Sequence, residues 1–124
     1  TALTSLDGDE LKRLGLREDL ADPAALVLHR AALAREAGCA GIVCSGREVG
    51  LVKERFGPEF IALVPGVRPD WGRVPGDDQA RVATPAEAVR RGADYLVVGR
   101  PIRLAGDPAS AAARIAGEIA SVRP

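Results

Sequence analysis

A glycine followed at once by an arginine at the end of an apolar run suits an anion. Gly99 leaves the backbone amide unobstructed, and Arg100 adds a guanidinium that can donate two parallel hydrogen bonds. A phosphate fits that description. On the residues alone a plainer reading stands level with it, in which Gly99 only turns the chain and Arg100 is a solvated surface charge. A second cluster, Pro65-Gly66-Val67-Arg68-Pro69, opens a segment that reaches Asp77-Asp78-Gln79 before the next helix signal, longer than an ordinary connection in a fold of alternating strands and helices. Gly66, Gly72 and Gly76 give it bending points, Arg68 gives a cation, and Gln79 can both donate and accept hydrogen bonds. The functional reading is a loop that closes over a ligand. The alternative is a structural insertion, with Trp71, the sole tryptophan, as its packing anchor.

Thr4-Ser5 and Ser45-Gly46 also follow apolar runs and offer hydroxyls there. His29 falls inside a helix pattern, far from every strand end, and reads as a surface or interhelical residue. Asp7, Asp9 and Glu10 are placed for helix capping rather than for acid–base work. Cys39 and Cys44 are five residues apart across a strand, which points them to opposite faces and prevents a local disulfide. Both are expected to be buried thiols in a reducing compartment.

The elements that must position these groups are short and alternate in type. Ala40–Cys44, Phe60–Val64 and Tyr95–Val98 are apolar runs bounded by Gly or Pro, read as strands buried on both faces. Asp22-Pro23 starts a helix that carries Leu26, Val27, Leu33 and Ala34 until Gly38 stops it. A second helix is expected over Arg47 to Phe56. Thr84-Pro85-Ala86-Glu87 is a capping box opening a third, which ends at Gly92, and Asp107-Pro108 opens a last one with Ala111, Ile115 and Ile119 on one face. With Thr1–Ser5 read as the end of a strand, the chain holds four strand-then-helix units, and such alternation implies parallel strands joined by right-handed crossovers. Four units can make a small open sheet or half of an eight-unit barrel, and periodicity does not choose between them. In both, ligands bind beyond the C-terminal strand ends, where the clusters above fall.

The whole chain of 124 residues fits one domain. Seventeen basic residues balance seventeen acidic ones, which argues against a nucleic-acid groove or an anionic membrane surface and for a small ligand. No apolar stretch is long enough for a membrane span. With no basic-then-apolar leader either, a cytoplasmic location is the expectation, and because the sequence opens without Met, in what reads as the end of a strand, so is a fragment of a longer protein.

Several strings, in order, resemble the second half of orotidine 5'-monophosphate decarboxylases: Leu3-Thr4-Ser5, Gly41-Ile42-Val43-Cys44-Ser45, Val64-Pro65-Gly66-Val67-Arg68-Pro69, Gly76-Asp77-Asp78-Gln79-Ala80-Arg81-Val82, Thr84-Pro85-Ala86-Glu87-Ala88, and the run from Gly92 to Ile102. The last string is shared with related phosphate-binding barrels, whereas the ordered combination is specific. The resemblance implies an α/β fold of four βα units forming the C-terminal half of a TIM (β/α)8 barrel, and the conversion of orotidine monophosphate to uridine monophosphate and CO2 in pyrimidine biosynthesis, without metal or organic cofactor. It implies that Thr4 contacts substrate, that Pro65, Gly66 and Val67 line the pocket, that Arg68 approaches the phosphate, that Gln79 bridges phosphate and pyrimidine, and that Gly99 and Arg100 hold the phosphate.

The departure from the family pattern is the Asp-x-Lys-x-x-Asp motif that carries the chemistry. The chain has two lysines, Lys12 and Lys53, and neither lies in such a motif. The isolated chain is therefore expected to be inactive, and its open sheet edges and apolar inner face to need either a homodimer partner or the missing N-terminal half. A sugar-phosphate lyase of the same superfamily and a non-catalytic, phosphate-binding half-barrel are the alternatives.

Overall fold

Caps and apolar runs alternate along the chain, and the elements follow them. The computed structural model describes residues 6–72 and 82–122. Its elements run α1 (Gly8–Arg13), α2 (Pro23–Glu36), β1 (Gly41–Val43), α3 (Val49–Phe56), β2 (Ile61–Val64), α4 (Pro85–Arg90), β3 (Tyr95–Leu96), α5 (Arg100–Arg103) and α6 (Pro108–Ala120), with 3-10 turns at Glu18–Leu20 and Asp70–Gly72. The strand expected at Thr1–Ser5 lies outside the described residues.

Local chemistry accounts for the helix starts. The Asp7 carboxylate accepts the Glu10 amide at 2.9 Å while the Glu10 carboxylate accepts the Asp7 amide at 2.8 Å, a reciprocal box that fixes the start of α1. Asp22 accepts from the Ala25 amide at 2.8 Å at the head of α2, and Thr84 with Glu87 repeats the box at α4. Asp107 accepts from the Ala109 and Ser110 amides to start α6. Two helices differ from expectation. The α3 helix begins at Val49 rather than Arg47, and Leu33 of α2 is exposed, because the packed stripe of that helix is Leu26, Val27 and Ala31. His29 is exposed on the same helix.

Among the described residues the strands form one parallel sheet in the order β1-β2-β3. Gly41 is where β1 and β2 approach most tightly, since a Cβ there would stand 2.1 Å from the Ile61 carbonyl oxygen. Burial in the sheet alternates, contrary to the expectation of strands covered on both sides: Ile42, Ala62 and Val64 are buried beneath the helices while Gly41, Val43, Ile61 and Leu63 are only half-buried. The helices cover one face only. On the other, Tyr95 and Val97 are exposed, and a cavity of about 400 Å³ lined by Cys39, Gly41, Val43, Ile61 and Leu63 opens on the sheet. Each fully buried valine of the covered layer, Val27, Val49, Val52 and Val64, contributes about 1.5–3 kcal/mol.

At the N-terminal end of the sheet a single carboxylate ties three elements together. Asp94 Oδ2 accepts the Ala62 amide at 2.7 Å and the Lys53 ammonium at 2.7 Å, and the Asp94 amide donates to the Ala62 carbonyl at 3.0 Å. Lys53 also donates to the carbonyls of Pro58 at 2.7 Å and Phe60 at 2.9 Å. Partial burial pushes the Asp94 carboxyl up, but the Ala62 amide and the Lys53 charge outweigh it and leave the pKa below the ordinary aspartate value. The cysteines part company. Cys44 is buried, and burial raises its thiol to about 11. Cys39, expected to be buried, is exposed, because it precedes β1 on the uncovered side.

Two outcomes follow. A carboxyl with a lowered pKa stabilises the fold fully above its unfolded value of about 3.9 and loses that contribution as the pH falls through the lower folded value. Asp94→Asn should therefore cost about 1–2 kcal/mol at pH 7, a figure discounted for partial exposure. Its urea midpoint should converge on that of the parent chain as the pH falls below the unfolded value and through the lower folded one; a constant gap at all pH values would remove the ion pair from the account. In thiol titration at pH 8, Cys39 should react within seconds and Cys44 only on unfolding, on the order of 100-fold slower or more.

Candidate functional site at the C-terminal strand ends

Parallel pairing brings the three described strand ends to one edge. The register Leu63↔Tyr95 and Val64↔Leu96, whose last bridge is closed by the Val97 amide donating to the Val64 carbonyl at 2.8 Å, brings the ends of β2 and β3 side by side. Pro65, Gly66, Val67 and Arg68 thus leave β2 beside the point where Gly99 and Arg100 leave β3. Gly66 has φ +70°, a left-handed turn that a side chain would strain. Beyond it Val67 and Arg68 are buried, the Arg68 amide donates to the Ala83 carbonyl at 3.0 Å, and Val67 bridges Ala83 in parallel. The Arg68 guanidinium donates to the Val67 carbonyl at 3.0 Å. The long segment therefore departs and returns at the same place, with its base closed by backbone hydrogen bonds.

Gly99 caps α5, a four-residue helix that begins directly at Arg100. A Cβ at Gly99 would meet nothing within 4 Å, so open space lies beside this backbone. The Ile102 and Arg103 amides close onto the Gly99 carbonyl at 3.1 and 3.0 Å. Pro101 carries no amide hydrogen, so the polar groups this short turn can turn toward an anion are those of Arg100. The turn after Arg68 touches this start: a Cβ on Gly72 would stand 3.1 Å from Pro69 Cγ and 3.3 Å from Pro101 Cβ. The arms carrying Arg68 and Arg100 are thereby packed together. Such an arrangement can receive an anion between two arginines at the head of a short helix.

The end of β1 supplies a third element. Ser45, fully buried, donates its hydroxyl to the Glu48 carboxylate and accepts the Arg47 amide at 3.3 Å. Glu48 is only 3% exposed. Gly46 lies against the base of the long segment, where a Cβ would come within 2.6 Å of Ala83 Cβ, and the Arg91 guanidinium donates to the Gly46 carbonyl at 2.9 Å. Sequence reasoning missed Glu48, Arg91 and α5. The Ser45-x-x-Glu48 spacing is a capping-box signal that could have found Glu48, and Pro101 two residues after Gly99 marks a helix start; nothing local marks Arg91. Thr4 and Gln79, the remaining expected contacts, lie outside the described residues. Among the described residues no group of three or more His, Cys, Asp or Glu is placed to hold a metal ion, and no helix is long and apolar enough to cross a membrane.

The family model described as Orotidine 5'-phosphate decarboxylase / HUMPS family matches residues 1–115. A curated relative from Desulfosudis oleivorans, named Orotidine 5'-phosphate decarboxylase, is 53% identical over 120 residues, which take in 96% of this chain and 48% of the relative. A relative of the same name from an Anaeromyxobacter species is 56% identical over 116 residues, 94% of this chain and 49% of its own. The crystal structure of orotidine 5'-phosphate decarboxylase from Lactobacillus acidophilus superposes with a TM-score of 0.68 at 32% identity, covering 94% of this chain and 46% of that one. The chain thus spans about half the length of the curated relatives it matches, and its α/β fold is half of their β/α barrel.

The contact at Gly46 is testable. Gly46→Ala should force the Ala83 side of the long segment outward and cost about 1–3 kcal/mol, read as a lower midpoint in urea. A change within about 0.3 kcal/mol would mean that the segment's base is not seated on β1 as described.

Proposed function

Because the chain belongs to the orotidine 5'-phosphate decarboxylase / HUMPS family, we propose that it is the phosphate- and pyrimidine-binding half of an orotidine 5'-monophosphate decarboxylase. The observation that carries this reading is the short α5 helix opening at Gly99-Arg100, with the loop after β2 packed against it. Loops after the last two strands of a β/α barrel, joined to the head of a short extra helix, are a recurrent phosphate site of that fold. Arg68 and Arg100 supply charge there, Gly99 an open backbone, and Pro65, Gly66 and Val67 the wall. By the family resemblance, Thr4 and Gln79 contact the substrate, with Gln79 bridging phosphate and base.

The reaction breaks the bond between the ring and its carboxylate, releasing CO2 and leaving an electron pair on the ring carbon that must then take a proton. Neither lysine of the chain is placed as the acid for that step. Lys53 is held at the opposite end of the sheet by Asp94 and two carbonyls, and Lys12 is exposed on α1. The acid and its carboxylate partners come from the other half of the barrel, and this half contributes binding energy from the phosphate, remote from the reacting carbon. No metal or organic cofactor enters the scheme. The uncovered sheet face, with Val43, Leu63, Tyr95 and Val97, is the surface for that other half or for a second copy. Two free thiols suit a reducing cytoplasm. A sugar phosphate would satisfy the phosphate arm as well, but Pro65–Pro69 and the names of the relatives favour the nucleotide.

Uridine monophosphate titrated calorimetrically into the chain together with a separately expressed N-terminal half of a homologue should bind, and orotidine monophosphate should be decarboxylated. The chain alone should do neither measurably. Arg100→Ala should weaken nucleotide binding on the order of 10- to 100-fold. Absence of nucleotide binding by the completed barrel would overturn the proposal.

A further inference from the structure

The turn that follows Arg68 is held from outside the anion site. In Asp70–Gly72 the Gly72 amide donates to the Pro69 carbonyl at 2.9 Å, closing the turn directly after the arginine. Trp71, the only tryptophan of the chain, projects from this turn toward α6, where the Arg114 guanidinium carbon lies 4.5 Å from its ring centroid. One helical turn further on, Glu118 accepts the Ala86 amide at 3.3 Å, at the head of α4. Ala111 and Ile115 seat the same face of α6 in the fold. One helix face therefore grips the long segment on both sides, through Arg114 where it departs and through Glu118 just after it returns.

Gly72 packs between Pro69 and Pro101, so any shift of the Asp70–Gly72 turn moves the Arg68 arm relative to the head of α5. A guanidinium over an indole is the strongest cation–π pairing among the aromatic side chains, and it fixes the ring in orientation as well as in distance. With one face of the indole covered by Arg114, the ring acts as a structural lever and not as a platform for a base.

We infer that Arg114 is a positioning residue for the anion site, acting through Trp71 to set the spacing between the Arg68 arm and the Gly99-Arg100 arm. The inference rests on the phosphate-binding role given above to those arms. It assigns α6 a part in substrate affinity although α6 carries neither of the two arms.

The test uses the chain completed by the homologue's N-terminal half. Arg114→Ala should raise the KM for orotidine monophosphate and the Kd for uridine monophosphate roughly 2- to 5-fold, with kcat unchanged. Trp71 emission should become more accessible to acrylamide. Trp71→Leu keeps the charge of Arg114 and should give the same rise, and the double variant should be no worse than either single one, which separates positioning from a long-range charge effect. Arg114→Lys should recover part of the affinity. Unchanged KM and Kd in Arg114→Ala, or additive effects in the double variant, would overturn the inference while leaving the proposed function intact. Should the completed parent barrel bind inorganic phosphate but no nucleotide, the proposed function falls. The inference then stands or falls on whether Arg114→Ala weakens phosphate in the same 2- to 5-fold range; a parent that binds neither overturns both.

Discussion

Asp94 fixes the register of this sheet from its N-terminal end. The β3 strand pairs with β2 over only two residues, too short a ladder to exclude a slip by its own hydrogen bonds. A one-residue slip would turn Leu96 and Val98 out of the helix-covered layer. Asp94 prevents this by accepting from the backbone of β2 and from Lys53 of α3 with one oxygen. Its neighbour Ala93, buried, and Gly92 at φ +96° beside the Lys53 stem complete the junction. A charge-assisted contact at one end of the sheet thus sets the geometry of the loops at the other.

That arrangement also assigns the lysine. An ammonium held by a carboxylate and two carbonyls is saturated with acceptors, and its three donors are spent on structure. The polar groups at the ligand edge are of another kind: arginines, backbone amides, and a buried serine hydroxyl held by Glu48. These offer charge and hydrogen bonds in fixed directions. The two ends of the sheet differ in chemistry as well as in position.

What could be read in the sequence follows the range of the interactions concerned. The starts of α2, α4 and α6 were legible because Asp22-Pro23, Thr84-Pro85-Ala86-Glu87 and Asp107-Pro108 satisfy their own amides within three residues. The barrel half and its family were legible through ordered loop strings, in which Gly66 and Gly99 mark backbone that no other residue would leave as open. The exposures of Cys39, Leu33 and one whole sheet face were not, because they depend on which surfaces find a partner across the fold. Arg91 on the Gly46 carbonyl and Arg114 on Trp71 were illegible for the same reason, each joining residues more than forty apart. The α5 helix escaped notice because four residues leave no periodicity to detect.

The distribution of apolar surface gives the division of labour a physical basis. The helices bury Ile42, Ala62 and Val64 on one side of the sheet, enough to hold three short strands in register, while Val43, Leu63, Tyr95 and Val97 remain uncovered or half-covered on the other. In a closed barrel that second face is the filled interior, layered by side chains from alternate strands around the whole ring. Closing the barrel therefore both removes this apolar surface from water and brings the loops after β2 and β3 toward whatever the other half places at the same edge. On the proposed function, binding energy collected at Arg68 and Arg100 can lower the barrier at the ring only when the two halves form one rigid body. The interior packing that stabilises the barrel is then also what transmits the substrate's remote binding energy to the reacting carbon.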